Sequence, residues 1–265
     1  MEQISPSVFA ETSYLGANVG CIVTAEGLVL IDCPLLPREA KHWRSQLENL
    51  KAGKILFLIN TDHHFDHAFT SSLFTKTIIT HRVAVKGIKY LENHLKDEFM
   101  NFYPDLYEQV KEELKEVEII SPHITFSKDL TLNLGGKIIE IKFVGGHSPA
   151  TVSIYFPQEE ILFTGDNLET TYPFLGQARF DTWMAHLGNL KSMKISRILP
   201  GHGEISGPEL IDKFLGFFNS LKNQVAKFKE QGFSAEETAQ KVDLFDYFPI
   251  EPGTKDLIRK SVAQG

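Results

Sequence analysis

The histidines and aspartates of this sequence gather in four short segments. The densest is Thr61-Asp62-His63-His64-Phe65-Asp66-His67, which follows the apolar run Lys54–Asn60. In an extended segment alternate side chains share a face, so Asp62, His64 and Asp66 would point one way and His63 and Phe65 the other. His67 joins the first set once the chain turns into a helix. The second segment is Gly145-Gly146-His147-Ser148, the third Thr164-Gly165-Asp166-Asn167, and the fourth Leu199-Pro200-Gly201-His202-Gly203. Each puts one His or Asp beside glycine after a short apolar run. Histidine with aspartate and no cysteine is the donor set of zinc, manganese or iron sites that activate water for hydrolysis.

Taken in order, the four segments resemble the motifs of the metallo-β-lactamase superfamily: H-x-H-x-D-H, then G-H, G-D and G-H-G, over roughly residues 10–205. The resemblance implies an α/β (α+β) fold, a four-layer αβ/βα sandwich with its metal site on one edge. It implies two divalent metal ions, zinc first, with iron or manganese as alternatives. His64 and His147 would bind the first metal, Asp66, His67 and His202 the second, and Asp166 would bridge them. One position departs: Asp62 stands where the family has a histidine. Either its carboxylate binds the first metal, or it hydrogen-bonds a ligand or water. As a ligand it would lower the formal charge of the site from about +1 to about neutral, raise the pKa of bound water and favour iron or manganese. His63 is read as the outward neighbour, with a substitute role for the missing histidine as the alternative.

The activity implied is that of a metal-dependent hydrolase. A metal-bound hydroxide would attack a carbonyl or phosphoryl centre, with Asp66 orienting it and taking up its proton. The expected substrate is a small molecule carrying an ester, thioester, lactone or related bond. An iron-dependent oxidoreductase or dioxygenase of the same fold, or a non-catalytic metal-binding member, is the alternative. Phe102, Tyr103 and Tyr172 are read as walls of the substrate pocket or as core.

Positioning these segments requires strands that end together. Val19–Thr24 and Leu28–Asp32 read as a hairpin about Glu26-Gly27, which would pair Cys21 with Asp32 and put Cys33 on the opposite face. Pro37–Leu50 carries Trp43, Leu47 and Leu50 at helical spacing, and 83–120 reads as a helical insertion near the site. Further strands are expected at 77–80, 124–126, 130–134, 137–144, 151–156, 160–164 and 197–199, with a helix from about Asp181. From Gly207 the chain reads as helical, with Ile211, Phe214, Leu215, Phe218, Leu221, Val225 and Phe228 on one stripe. That stripe is core or a homodimer surface. The division expected is a catalytic domain over 1–206 and a helical extension over 207–265 packed on it.

Composition narrows the partners. The 265 residues carry 27 Lys and Arg against 34 Asp and Glu, a net charge of −7, without the cationic stripe that nucleic acid requires. No apolar run approaches a membrane span, and Met1-Glu2-Gln3-Ile4-Ser5-Pro6 lacks the features of a signal peptide, so the expected address is the cytoplasm. Two cysteines make no disulfide framework and are read as free thiols.

Overall fold

In the computed structural model, which describes residues 1–243, 246–248, 259 and 263, two β-sheets lie face to face between helices. The first sheet holds seven strands in chain order: β1 Glu2–Ser5, β2 Val8–Glu11, β3 Val19–Thr24, β4 Gly27–Ile31, β5 Ile55–Ile59, β6 Ile78–His81 and β7 Ile124–Phe126. The second holds β8 Leu130–Leu134, β9 Lys137–Phe143, β10 Val152–Phe156, β11 Ile161–Phe163 and β12 Arg197–Leu199, in the order β12-β11-β10-β9-β8. Branched aliphatic side chains on alternate positions of both sheets form the middle of the sandwich. Val8, Ile22, Val29, Ile31 and Ile59 meet Ile139, Ile141, Val152, Ile154 and Phe163, all buried.

Helices cover both outer faces. Helix α1, Pro37–Asn49, lays Ala40, Trp43 and Leu47 over Cys21, Leu28, Leu30 and Leu58 of the first sheet. On the second sheet, α5 Phe180–Leu190 and α6 Glu209–Glu230 close together over Leu162 and Ile198, through Trp183, Leu187, Phe214 and Phe218. The apolar stripe of α6 is therefore core. The four-layer sandwich expected from the sequence is the architecture observed. Further α-helices among the described residues are the single turn α2, Phe65–Ala68, the pair α3 Ala84–Phe102 and α4 Pro104–Leu114, and α7 Ala235–Lys241. Ser234 caps α7: its hydroxyl accepts from Glu237 N, and Glu237 returns a bond to Ser234 N. The end of the expected 207–265 extension lies largely outside the described residues. Among those described, no helix is long and apolar enough to cross a membrane.

The β3–β4 hairpin corrects a register. Thr24 pairs with Gly27 and Cys21 with Leu30, so the turn is Ala25-Glu26, one residue earlier than the sequence suggested. Thr24 fixes it, its hydroxyl donating to Gly27 O and accepting from Glu26 N. Cys33 also departs from expectation. Asp32 takes a left-handed φ of 56°, which swings the chain so that Cys33 joins Cys21 in the α1-facing cluster; both thiols are free and buried.

Strand direction gathers the site. Strand β5 runs parallel to β4, β11 runs parallel to β12, and β9 is antiparallel to β10, itself antiparallel to β11. Hence β9, β11 and β12 share a direction and release their segments on one edge. The two sheets are tied there by Val152 N donating to Thr61 O at 2.9 Å and Asn18 N donating to Gly201 O at 2.7 Å.

Candidate metal centre

Each segment is held by its own polar scaffold. Asn60 Nδ2 donates to His67 O at 2.8 Å and to Ser71 Oγ at 3.1 Å, folding the chain after β5 into α2. Asp32, at the end of β4, accepts from Thr61 N at 2.7 Å and Thr61 Oγ1 at 2.6 Å. Its Oδ2 also lies 2.9 Å from His67 Nδ1, which leaves Nε2 of that ring facing the cluster. The loop after β9 is clamped to the loop after β11: Asn167 Oδ1 accepts from His147 N at 2.9 Å, and Asn167 Nδ2 donates to Gly145 O at 2.7 Å. Trp183 Nε1 donates to Asn167 O at 2.9 Å, linking α5 to the same loop. Gly201 is required by proximity, since a Cβ there would lie 2.0 Å from Asp166 Oδ1.

The donor atoms form two adjacent groups, His64 with His147 and Asp166, and Asp66 with His67 and His202; within each group they lie within 4.8 Å of one another. Asp166 joins the two. Its Oδ2 is 3.4 Å from His147 Nε2, and its Oδ1 is 3.1 Å from His67 Nε2 and 3.4 Å from His202 Nε2. His147 Nε2 is 3.3 Å from His64 Nδ1, and His202 Nε2 is 3.3 Å from Asp66 Oδ2. Two ligands bound at ~2.0–2.1 Å to a tetrahedral ion stand about 3.3 Å apart, so this is the spacing of atoms sharing a cation. Two orphans agree with it: His67 Nε2 and Asp166 Oδ1 are buried and make no hydrogen bond. Unpaired buried donors and acceptors are costly, and a divalent metal would satisfy them. The residues fit the group.

Charge tuning favours the ligand form at Asp166 and His147. At His67 and His202 burial alone would lower the ring, but the facing carboxylates, Asp166 first, hold it well above the usual imidazole value, so that a metal there would displace a proton. Burial alone would raise the Asp166 carboxyl, but His67, His202 and His147 outweigh it and hold the group well below the usual carboxylate range. Burial, helped by His64, pushes His147 down to about 4 against the pull of Asp166, so the imidazole is neutral at neutral pH. Glu169, which the sequence reading did not single out, lies buried beside these groups; burial first, then the Asp166 charge, pushes its carboxyl well above the ordinary value. Asp32 was also missed. Its only signal is an acid at the end of the apolar run Leu28–Ile31.

Of the residues singled out from sequence, His64, Asp66, His67, His147, Asp166 and His202 converge. Asp62 is not brought into the His64–His147–Asp166 group. Its fully buried carboxylate accepts from Ser148 Oγ and Thr151 Oγ1, both at 2.6 Å to Oδ2, and from His63 N at 2.7 Å to Oδ1. Oδ1 also lies 2.8 Å from His63 Nδ1 and 3.3 Å from His64 Nδ1. The segment is extended only to His64, since α2 begins at Phe65, and the outward His63 of an extended reading is instead curled back beside Asp62. Phe102 and Tyr103 reach the site region through Phe65, at ring distances of 5.7 and 6.2 Å, and Phe102 also meets Phe174 at 6.0 Å. Tyr172 lies elsewhere. Its ring packs edge-on against Phe217 at 5.5 Å and Phe248 at 6.3 Å, in the core beneath α6, while Phe174 faces Phe102.

Comparison with known proteins agrees with this architecture. A curated relative, the metallo-beta-lactamase type 2 of Bacteroides fragilis, is 29% identical over 120 residues, which are 43% of this chain and 48% of that relative. The match thus spans about half of that protein. Among solved structures, a metallo-beta-lactamase from Pontibacter korlensis superposes with a TM-score of 0.65 at 22% identity, covering 82% of this chain and 97% of its own. The stereoselective inverting sec-alkylsulfatase Pisa1 from Pseudomonas sp. superposes with a TM-score of 0.76 at 15% identity, covering 99% of this chain and 49% of its own. The profile of the metallo-beta-lactamase superfamily matches residues 13–202, from the turn before β3 to the last histidine of the cluster. With that match, over most of its length and across all four His and Asp segments, the chain belongs to the metallo-beta-lactamase superfamily.

Proposed function

We propose that the chain is a dinuclear metal-dependent hydrolase of small molecules, cleaving an ester, thioester, lactone or related bond. The observation that carries this reading is the pair of donor groups joined by Asp166 at the shared edge of two sheets. His64, His147 and Asp166 would hold one divalent ion, and Asp66, His67, His202 and Asp166 the other; zinc suits the donors, with iron or manganese as alternatives. Bound there, the ions supply Lewis acidity that polarises a substrate oxygen and makes water nucleophilic near neutral pH.

The protein's own groups do the rest. Asp66 is the most exposed carboxylate of the cluster, its side chain 13% exposed against 6% for Asp166 and none for Asp62, so it can orient an incoming water and accept its proton. Asp32 fixes the ring of His67, and Asn167 fixes the loop that carries His147. Phe65 of the same loop meets Phe102, which meets Phe174, an aromatic group against which an uncharged part of the substrate would lie.

The test is hydrolysis of a panel containing esters, thioesters, lactones, a β-lactam and a secondary alkyl sulfate. The protein should be purified without added metal and its elemental content measured. Turnover of at least one class is expected, lost with a chelator and restored by zinc, iron or manganese. Chelator-insensitive turnover, or oxygen consumption in place of hydrolysis, would overturn the reading.

A further inference from the structure

We propose that Asp62 is a positioning residue rather than a ligand, and that the two metal subsites therefore fill in order, the Asp66–His67–His202 subsite first. This inference rests on the dinuclear reading above.

The first argument is an accounting of lone pairs. A carboxylate offers about four acceptor sites. At Asp62, Oδ2 takes two hydroxyl donors, Ser148 Oγ and Thr151 Oγ1, and Oδ1 takes His63 N, while His63 Nδ1, 2.8 Å from Oδ1, makes no hydrogen bond. Three of the four sites are filled by hydrogen bonds, and the fourth, on Oδ1, is crowded by the His63 ring at 2.8 Å. The neighbours are built around this arrangement. The ring of His63 sits in a notch of α3 at Gly87, where a Cβ would come within 1.9 Å of His63 Cδ2. Ser148 N, in turn, donates to Thr151 Oγ1 at 3.1 Å, closing the turn that follows His147. Asp62 thus fixes the segments on both sides of the first subsite, those carrying His64 and His147.

The second argument is reach. A histidine projects its far ring nitrogen more than 1 Å beyond the carboxylate oxygens of an aspartate on the same backbone, by about the width of the ring. Asp62 Oδ1 lies 3.3 Å from His64 Nδ1, but the group that His64 forms with His147 and Asp166 does not include it. The first subsite is left with His64, His147 and a share of Asp166.

The third is the contrast with the second subsite, which has two histidines, the whole of Asp66 and the same share of Asp166. Behind His67 stands Asp32, 2.9 Å from Nδ1, whereas His147 Nδ1 is buried without a partner. A carboxylate behind a ligating imidazole typically changes metal affinity by about 10–100-fold. Ligand count, charge and support all favour the second subsite.

Zinc titration of the metal-free full chain, followed by native mass spectrometry and calorimetry, tests this. Two binding steps at least about tenfold apart are expected. Crystals grown with one equivalent of zinc should show anomalous scattering among Asp66, His67 and His202. Asp62→His, which supplies the longer side chain, should tighten the weaker step and leave the stronger one unchanged. Two equal steps, or a first ion between His64 and His147, would overturn the inference and leave the hydrolase reading standing. So would an Asp62→His variant that keeps its melting temperature yet leaves both steps unchanged. Should that variant not fold, the wild-type titration and the place of the first ion decide the matter. A chain that binds no zinc, iron or manganese would overturn both.

Discussion

At the scale of single residues, the side chains that hold the His and Asp cluster are as specific as the cluster itself. Asp32 bonds both the backbone and the hydroxyl of Thr61 and lies against His67 Nδ1, so one carboxylate sets the start of the metal loop and the tautomer of a ligand. Asp32→Asn preserves shape but removes the charge. It should weaken zinc binding at the His67 subsite by about 10–100-fold while leaving the other step in place, as competition with a chromophoric chelator would measure. Unchanged affinity would make Asp32 a turn residue only. The six converging residues were legible because each sits in a segment whose neighbours announce it, such as Gly201-His202-Gly203. Asp32 was not, since an acid closing an apolar strand is commonplace. The placement of Asp62 was not legible either. It depends on Ser148 and Thr151, which are distant in sequence, and on Gly87, whose missing side chain makes room for His63.

At the scale of elements, α3 serves two purposes that its sequence does not separate. Phe99 is fully buried and Phe102 is 41% exposed, yet both rings meet Phe65 of the metal loop, at 5.4 and 5.7 Å. Phe99→Ala should cost about 3–5 kcal/mol of stability, the range for emptying a buried aromatic site. Phe102→Ala should leave the melting temperature nearly unchanged and raise KM with little loss of kcat, as steady-state kinetics on whichever substrate is turned over would show. A large stability loss at Phe102 with unaltered KM would make it ordinary packing. Helices were readable from their 3.6-residue period, α6 most plainly, and strands from short apolar runs. What periodicity could not give was which surface an apolar stripe meets: α6 covers the second sheet alongside Trp183, a contact fixed only in three dimensions. The β3–β4 turn was misplaced by one residue, because the Thr24 hydroxyl outweighed the Glu26-Gly27 signal.

At the scale of the whole molecule, the sandwich exists to bring loops together. Four segments spread from residue 61 to residue 203 meet because β5, β9, β11 and β12 deliver them to one edge, and the apolar interior between the sheets holds those strands in place. The fold could be anticipated from the order of the motifs, while the choice of bond cleaved could not, since a scaffold of this kind accepts many chemistries through its loops. The central claim, that this edge is a two-metal centre, is tested most directly by anomalous diffraction from crystals of the metal-saturated protein, collected on both sides of the absorption edge of the metal found by elemental analysis. The account predicts two peaks about 3.5–4 Å apart. One should lie among His64, His147 and Asp166, the other among Asp66, His67, His202 and the same Asp166. A single peak at saturation, with Asp166 touching only one ion, or peaks away from these residues, would contradict it.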